Sequence, residues 1–440
     1  MNTDLESGQD DGFFSATPQG RRAVWSWIMY DWANSAYAMT VLAAFFPIFF
    51  NEYWCEGANS TARLGFGNAV AGLLIALVSP FLGALADTGH NRKRFLAYAM
   101  LLGVIMSGAL YFVAPGAWLT ALFVFIPATI GFSCANLFYD SMLPMVSPPG
   151  KMDLVSSMGF GFGYLGCGIL FAINIAMVLK PQFFGLANDA VAVRTSFLTV
   201  SIWWLIFSIP ILLFVKEPRA ERTIGTSEVY RRAFIELAHT FRSLKKEKGM
   251  LLFLFSYWLY IDGVHTFIRM AADLGKSIGL ENAVLMRALL LVQLAAFPAA
   301  ILFGVIAKKI GTLRAILIGI GLYTFITFVA PMTVRGAGMF TFFAVLSAVP
   351  QGCLQALSRS YFANIIPKEK AAEYFGFYNL MGKFAVFFGP LMIGVIVVIS
   401  QSVGARSEYA SRLGFSSTSL LFLAGGVMLY FADRSIRKKV

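Results

Sequence analysis

Cys134-Ala-Asn136-Leu-Phe-Tyr139-Asp140-Ser141 returns later in the chain as Cys353-Leu-Gln355-Ala-Leu-Ser-Arg359-Ser360. The register continues beyond both segments: Pro148, Lys151 and Gly163 match Pro367, Lys370 and Gly382 at the same offset, 353 − 134 = 219. Earlier in each copy, Trp27, Asp31, Asn34 and Met39 face Trp258, Asp262, His265 and Met270 at an offset of 258 − 27 = 231. Polar residues and prolines recur along with apolar ones, which two unrelated greasy stretches would not produce by composition. Such a repeat in a strongly apolar chain predicts two similar membrane halves with a site at their interface.

Composition excludes a water-soluble fold. Of 440 residues, 58% are hydrophobic and 13% charged, whereas soluble domains carry about 25% charged residues; the mean hydropathy is +0.71. Runs of about 20 apolar residues recur, each long enough to cross a hydrocarbon core of about 30 Å. With no water at that depth, each backbone amide must be paired inside its own segment, which demands helices. Barrel strands would instead show short alternating runs. The expected fold class is an all-α membrane protein with twelve transmembrane helices in two six-helix halves. The spans are expected near 24–50, 66–86, 95–114, 118–146, 154–179, 194–215, 250–272, 284–307, 314–331, 338–362, 373–399 and 414–432. The organisation is then a tail (1–23), a first half (24–215), a connecting loop (216–248) and a second half with a short basic tail (249–440).

Charge sets the expected orientation. Arg92, Lys93, Arg94, Lys308, Lys309, Arg314, Arg434 and Arg437 fall together on one side if both termini are cytoplasmic, as the positive-inside rule requires. A net charge of +12 then reflects contact with anionic membrane lipid, and no nucleic-acid partner is implied. In the connecting loop, Tyr230, Phe234, Leu237, Phe241 and Leu244 alternate with arginines and lysines, predicting a basic amphipathic helix. The four cysteines form neither a disulfide framework nor a metal-ligand spacing. The first apolar run is too long for a signal-peptide core.

Enzyme signatures are missing. Gly275-Lys276-Ser277 lacks the earlier glycine of a phosphate-binding loop, since position 270 is methionine. No catalytic residue, metal or cofactor is expected. The connection Gly83-Ala-Leu-Ala-Asp87-Thr-Gly89-His-Asn-Arg92-Lys93-Arg94 resembles the signature loop of the major facilitator superfamily. There, Gly83 would let helices approach, and Asp87 would cap a neighbouring helix or pair with a base as a latch.

Three further segments narrow the resemblance. They are Tyr30-Asp31-Trp32-Ala33-Asn34-Ser35-Ala36-Tyr37, Gln351-Gly352-Cys353-Leu354-Gln355-Ala356-Leu357-Ser358-Arg359-Ser360, and Glu373-Tyr-Phe-Gly376-Phe377-Tyr378 leading to Gly389-Pro390. Together they resemble the vacuole-effluxer-like permeases, a branch of the superfamily that includes fungal autophagy-related exporters of amino acids. The resemblance implies a monomeric secondary transporter in a bacterial inner membrane, rocking about a central site and exporting a small polar metabolite, an amino acid first. A proton-coupled multidrug or amphipathic-compound carrier is the alternative. A non-transporting receptor or scaffold is the reading from another class.

Charged and polar groups at membrane depth are costly enough to mark function. The candidate substrate-binding residues are Asn34, Tyr37, Asn136, Asp262, His265, Gln351, Gln355, Asn379 and Lys383, and the candidates for gating or proton coupling are Asp31, Asp87, Asp140 and Arg359. Asp262 and Lys383 both fall near the midplane at about 1.5 Å of rise per residue. They are expected to pair when the site is empty and to receive the ammonium and carboxylate of a zwitterion; a permanent structural ion pair is the competing expectation.

Overall fold

Twelve helices of the computed structural model are long and apolar enough to cross a membrane. The structure describes residues 17–55, 59–217, 226–277, 279–384 and 388–438. In order, the spans are Pro18–Trp54, Ala62–Gly89, Arg92–Phe112, Trp118–Val146, Met152–Leu179, Asp189–Phe214, Lys248–Lys276, Val284–Ile310, Thr312–Thr333, Ala337–Ile365, Lys368–Ser402 and Ser407–Arg437. An even number of crossings returns the chain to the face on which it started, called here the terminal face. Most of the expected tail and part of the connecting loop lie outside the described residues.

The ends of the spans differ from the sequence expectation where polar residues mask a helix. The first begins at Pro18, because Thr17 caps it by accepting the Gly20 amide at 3.2 Å and proline suits a first helical position. Arg21 and Arg22 hid this turn from an apolarity criterion. Further along, the same span widens into π-helical stretches, Tyr37–Phe45 and Phe50–Trp54, on either side of Pro47. Proline supplies no amide hydrogen, and such widening relieves the broken ladder.

The halves meet along two seams. Between the second and eleventh spans, a Cβ on Gly83 would lie 2.2 Å from the Ala372 carbonyl oxygen, and one on Gly376 would lie 2.7 Å from Pro80 Cα. Between the fifth and eighth spans, Gly304 lies against Ser157 and Gly161 against Phe297 and Ile301. Lipid offers no hydrophobic drive for helices to associate, so backbone approach over small residues supplies the packing. Both seams are tightest toward the terminal face.

Toward the opposite face, the spans pack inside their own halves. Phe46 stacks on Phe125 at 3.8 Å, and Trp54 on Phe197 at 5.9 Å, within the first half. Phe267 packs on Tyr323 and Phe415 within the second.

The connecting segment contains the expected helix, Thr226–Lys246. On it Ala233 and Thr240 are buried and Leu237 half-buried, while Phe234 remains 62% exposed with its ring centroid 4.7 Å from that of Phe81. Glu236 on this helix pairs with Lys370 at the start of the eleventh span. The helix therefore touches both halves at the second–eleventh seam.

Substituting Gly83 by valine is expected to wedge this seam apart. Transport should fall at least about tenfold while the protein still purifies as a monodisperse species, because the cost falls on one closed conformation rather than on each half. Unchanged transport rates by Gly83→Val in vesicles would show that the seam does not close during the cycle.

Candidate functional site

Arg359 reaches from the tenth span across the interface into a nest of first-half residues. Its Nη1 donates to Asp140 Oδ1 at 3.0 Å and to Asp31 Oδ2 at 3.3 Å. Nε donates to Ser156 Oγ and Nη2 to the Ser156 carbonyl, both at 2.9 Å. The Tyr139 hydroxyl donates to Asp31 at 3.1 Å, and Ser35 donates to the other oxygen of Asp31 at 3.2 Å. Above and below the guanidinium lie the rings of Trp27, Tyr139 and Phe160, with centroids at 4.8, 5.3 and 4.1 Å. Trp27 is held by its indole N–H, which donates to the Tyr139 carbonyl at 2.9 Å.

Desolvation makes this cluster mutually dependent. The side chains of Arg359, Asp31 and Asp140 are only 3%, 8% and 12% exposed. A lone charge so placed costs several kcal/mol, which good geometry and filled hydrogen-bond positions offset. Arginine suits the task, because its planar fork can serve two carboxylates and a carbonyl while its faces stack on rings. One guanidinium faces two carboxylates, so with all three ionised the cluster holds an uncompensated negative charge.

Asp140 and Arg359 are also the two members of one repeat pair, 359 − 140 = 219. Positions related by a two-fold operation touch each other only where the axis passes between them. This ion pair thus marks where the pseudo-two-fold axis between the halves crosses the closed interface.

Neighbouring contacts extend the closure. Asp153, in the first turn of the fifth span, accepts from Thr312 Oγ1 at 2.6 Å and from Ser360 Oγ at 2.5 Å. Ser156 Oγ donates to the Ala356 carbonyl at 2.7 Å. At the second–eleventh seam, Asp87 pairs with Arg92 at 2.6 Å and accepts the Glu373 and Ala372 amides at 2.8 and 3.3 Å. Arg92 then donates to the carbonyls of Lys368 and Glu369 at 2.9 and 2.8 Å. Asp87 both caps a neighbouring helix and pairs with a base, a carboxylate at the positive end of a helix dipole.

The other sequence candidates are distributed over several surroundings. Asn34 donates its side-chain amide to Asn136 within the first half. Tyr37 is fully buried, its hydroxyl 3.1 Å from Thr129 Oγ1 and its ring against Phe132 and Trp204. Gln355 accepts from the Tyr164 hydroxyl at 2.6 Å across the interface, and Gln351 is buried one turn away. His265 is half-buried and lies one turn from Asp262.

Asp262 and Lys383 do not pair, which corrects the sequence expectation. Asp262 is 1% exposed. Its Oδ2 accepts the Gly389 amide at 3.0 Å, and its Oδ1 accepts from Thr266 at 3.1 Å. Gly389 lies in the eleventh span, in the helical stretch Phe388–Ser402. The carboxylate is therefore engaged by a backbone amide of that span and by its own helix's Thr266 rather than by the lysine. Lys383 is half-buried, and among the described residues no carboxylate lies within ion-pair distance of it. Asn379, one turn away, has a buried side-chain amide nitrogen without a hydrogen-bond partner among the described residues.

Sequence reasoning passed over Asp153, Ser156 and Arg269. The repeat offered a signal for two of them: Asp153 stands opposite Ala372, and Arg269 opposite Ala38, as polar groups without a polar counterpart. Ser156 carried no such mark. Among the described residues no group of three or more His, Cys, Asp or Glu side chains is arranged to hold a metal ion.

A family model described as vacuole effluxer Atg22 like matches residues 58–439. The chain belongs to this family. It is 36% identical over 418 residues to the uncharacterized MFS-type transporter YxiO of Bacillus subtilis (strain 168), covering 92% of this chain and 94% of that one. It is 21% identical to autophagy-related protein 22 of Coccidioides immitis (strain RS), covering 96% and 88%. Among solved structures, the proton:xylose symporter XylE superposes with a TM-score of 0.66 at 14% identity, covering 94% of this chain and 95% of that one. A bacterial homologue of the iron transporter ferroportin in an outward-facing state gives 0.65 at 12% identity, covering 95% and 100%. This Atg22-like chain accordingly has the major facilitator fold. It is an integral membrane protein and an MFS-type secondary transporter of small molecules, in a family of transporters and not of enzymes.

The charge count predicts an asymmetric response to substitution. Arg359→Leu leaves two buried carboxylates without a cation and should lower stability by about 3–5 kcal/mol. Asp31→Asn leaves a one-to-one pair and should cost less than about 1 kcal/mol, since the amide oxygen can still accept from Arg359 and Tyr139 while its NH2 donates to the Ser35 hydroxyl in the reversed sense. Thermal unfolding of the detergent-solubilised variants measures both; equal losses would contradict the count.

Proposed function

We propose that this transporter exports a small polar metabolite, with amino acids as the first class, across a bacterial cytoplasmic membrane, both termini being cytoplasmic. The carrying observation is the terminal face itself: Arg359, Asp87 and Asp153 tie the two halves together there. Such ties have to break for a site between the halves to open on that side. In this reading the first half (24–215) rocks against the second (249–440), and Asp31, Asp140 and Arg359 form the central gate, with Asp87 as its outlying latch. The similarity to vacuole effluxers supports export, and the basic residues gathered on the terminal face support its cytoplasmic placement.

The same cluster supplies a coupling device. When the gate opens, Arg359 withdraws and leaves Asp31 and Asp140 near each other without a cation. Neighbouring carboxylates that lose their shared cation bind a proton more readily. Opening toward the cytoplasm is thereby tied to the protonation of at least one of these acids. Re-forming the Arg359 contacts favours proton release. A downhill proton gradient can drive the cycle through this linkage alone.

The experiment is uptake and counterflow in proteoliposomes, over a panel of amino acids, with and without an imposed proton gradient. Gradient-stimulated transport of at least one amino acid is expected, and its failure on every member would remove the amino-acid reading. Asp140→Asn should still exchange labelled for unlabelled substrate but should no longer accumulate it against its gradient. Gradient-driven accumulation at the unmodified rate in both Asp140→Asn and Asp31→Asn would remove the coupling role.

A further inference from the structure

The seventh and eleventh spans carry a set of donors that the gate does not use. Lys383 lies in the second half, one turn beyond Asn379, at a depth where an unpaired ammonium is tolerated only beside water or a ligand. The stack of Tyr257 on Tyr378, at 4.0 Å, fixes the two spans against each other just below it. Arg269 stands two turns beyond Asp262 on the seventh span and is exposed. Among the described residues it has no hydrogen bond and no carboxylate within ion-pair distance, and the charges of Arg269 and Asp262 act on each other at longer range. The charges of Lys383 and Arg269 act on each other, and Lys383 also interacts electrostatically with Cys134 of the fourth span. The helix Ala371–Phe384, which carries Lys383, packs against the fourth span of the first half.

Asp262 is the acid that would ordinarily balance these cations. Both of its oxygens are already engaged, one by the Gly389 amide and one by Thr266. What remains is two cations and the buried, unpartnered amide nitrogen of Asn379, all donors without a hydrogen-bond acceptor among the described residues. Donors so arranged match a carboxylate, whose two oxygens accept from several partners at once. Two cations against one committed acid favour a ligand that is itself net negative.

We propose that Lys383, Asn379 and Arg269 form an anion subsite, and that the transported molecule is a carboxylate with net negative charge, an acidic amino acid or a related dicarboxylate, rather than a neutral zwitterion. The inference rests on the transport reading above and gives its substrate class. Lys383 and Asn379 take one carboxylate near the midplane. Arg269, nearer the opposite face, holds the second charge of the same molecule and draws anions inward. Asp262 does not meet the substrate's ammonium; it holds the eleventh span through the Gly389 amide.

The test uses the full chain in proteoliposomes, with glutamate, aspartate, succinate, alanine, leucine and lysine as competitors of counterflow and as labelled substrates. The acidic compounds should compete at concentrations at least about tenfold below those of alanine or leucine. Lys383→Gln should erase that preference, Lys383→Arg should restore part of it, and Arg269→Gln should weaken it about tenfold. Thermal shift of the purified protein by glutamate and succinate gives a readout independent of transport and should vanish in Lys383→Gln. A folded Lys383→Gln variant that keeps the acidic preference would overturn the subsite. Transport of neutral amino acids with no competition from acidic ones would overturn the inference and leave amino-acid transport standing. Transport and stabilisation by succinate alone would support the subsite and reject the amino-acid reading. No transport and no stabilisation by any compound would overturn both.

Discussion

A guanidinium cannot stand alone in a dry interior, and the closed form of this transporter is arranged around that constraint. Arg359 belongs to the second half, yet every oxygen that accepts from it belongs to the first: Asp31, Asp140 and the hydroxyl and carbonyl of Ser156. Its hydrogen bonds exist only while the halves are together on the terminal face. A structural ion pair inside one half would persist through the cycle and report nothing. One that spans the halves is made and broken with the conformation, so its energy bears directly on the balance between states. The close backbone approach at Gly83 and Gly376 supplies shape for the same state but cannot sense charge.

Two kinds of closure therefore coexist. The second–eleventh seam uses backbone: Asp87 accepts amides of Ala372 and Glu373, and Arg92 donates to carbonyls of Lys368 and Glu369. Such contacts depend on helix ends lying in register and tolerate side-chain changes at positions 368 to 373. The central cluster uses side chains for all but the Ser156 and Ala356 carbonyls and tolerates few changes. The connecting helix sits beside the first kind, where Glu236 meets Lys370, so the peptide that joins the halves also rests on the seam that closes them.

The fold was readable because membrane chemistry leaves so little freedom. Apolar run length set the twelve spans, and the repeat announced two halves. The spans' ends were lost where arginines or a capping threonine stood in for apolar residues, as at Thr17 to Arg22. The gate was readable in part: a charge in an apolar run is conspicuous, so Asp31, Asp140 and Arg359 stood out one by one. Their meeting was not visible, because side-chain partners three hundred residues apart leave no local pattern. Asp262 and Lys383 show the opposite error. Depth along a helix put them level, but the Gly389 amide and the Thr266 hydroxyl already occupy the two oxygens of Asp262. Arg269 escaped notice because it stood near the expected end of its span, where charge is commonplace.

The ion pair of Asp140 with Arg359 has a consequence for the history open to such a molecule. A residue on a two-fold axis meets its own copy. In a dimer of two identical six-helix chains, an aspartate there would face an aspartate, and an arginine an arginine, each repelled in a low-dielectric setting. Attraction across the axis requires that the two copies be spelled differently. That becomes possible only when both lie in one reading frame, or in two separate genes, and can mutate apart. The ion pair at the axis of this transporter is thus one that no symmetric ancestor could have made, and fusing the halves gave access to a gate as well as to a linker.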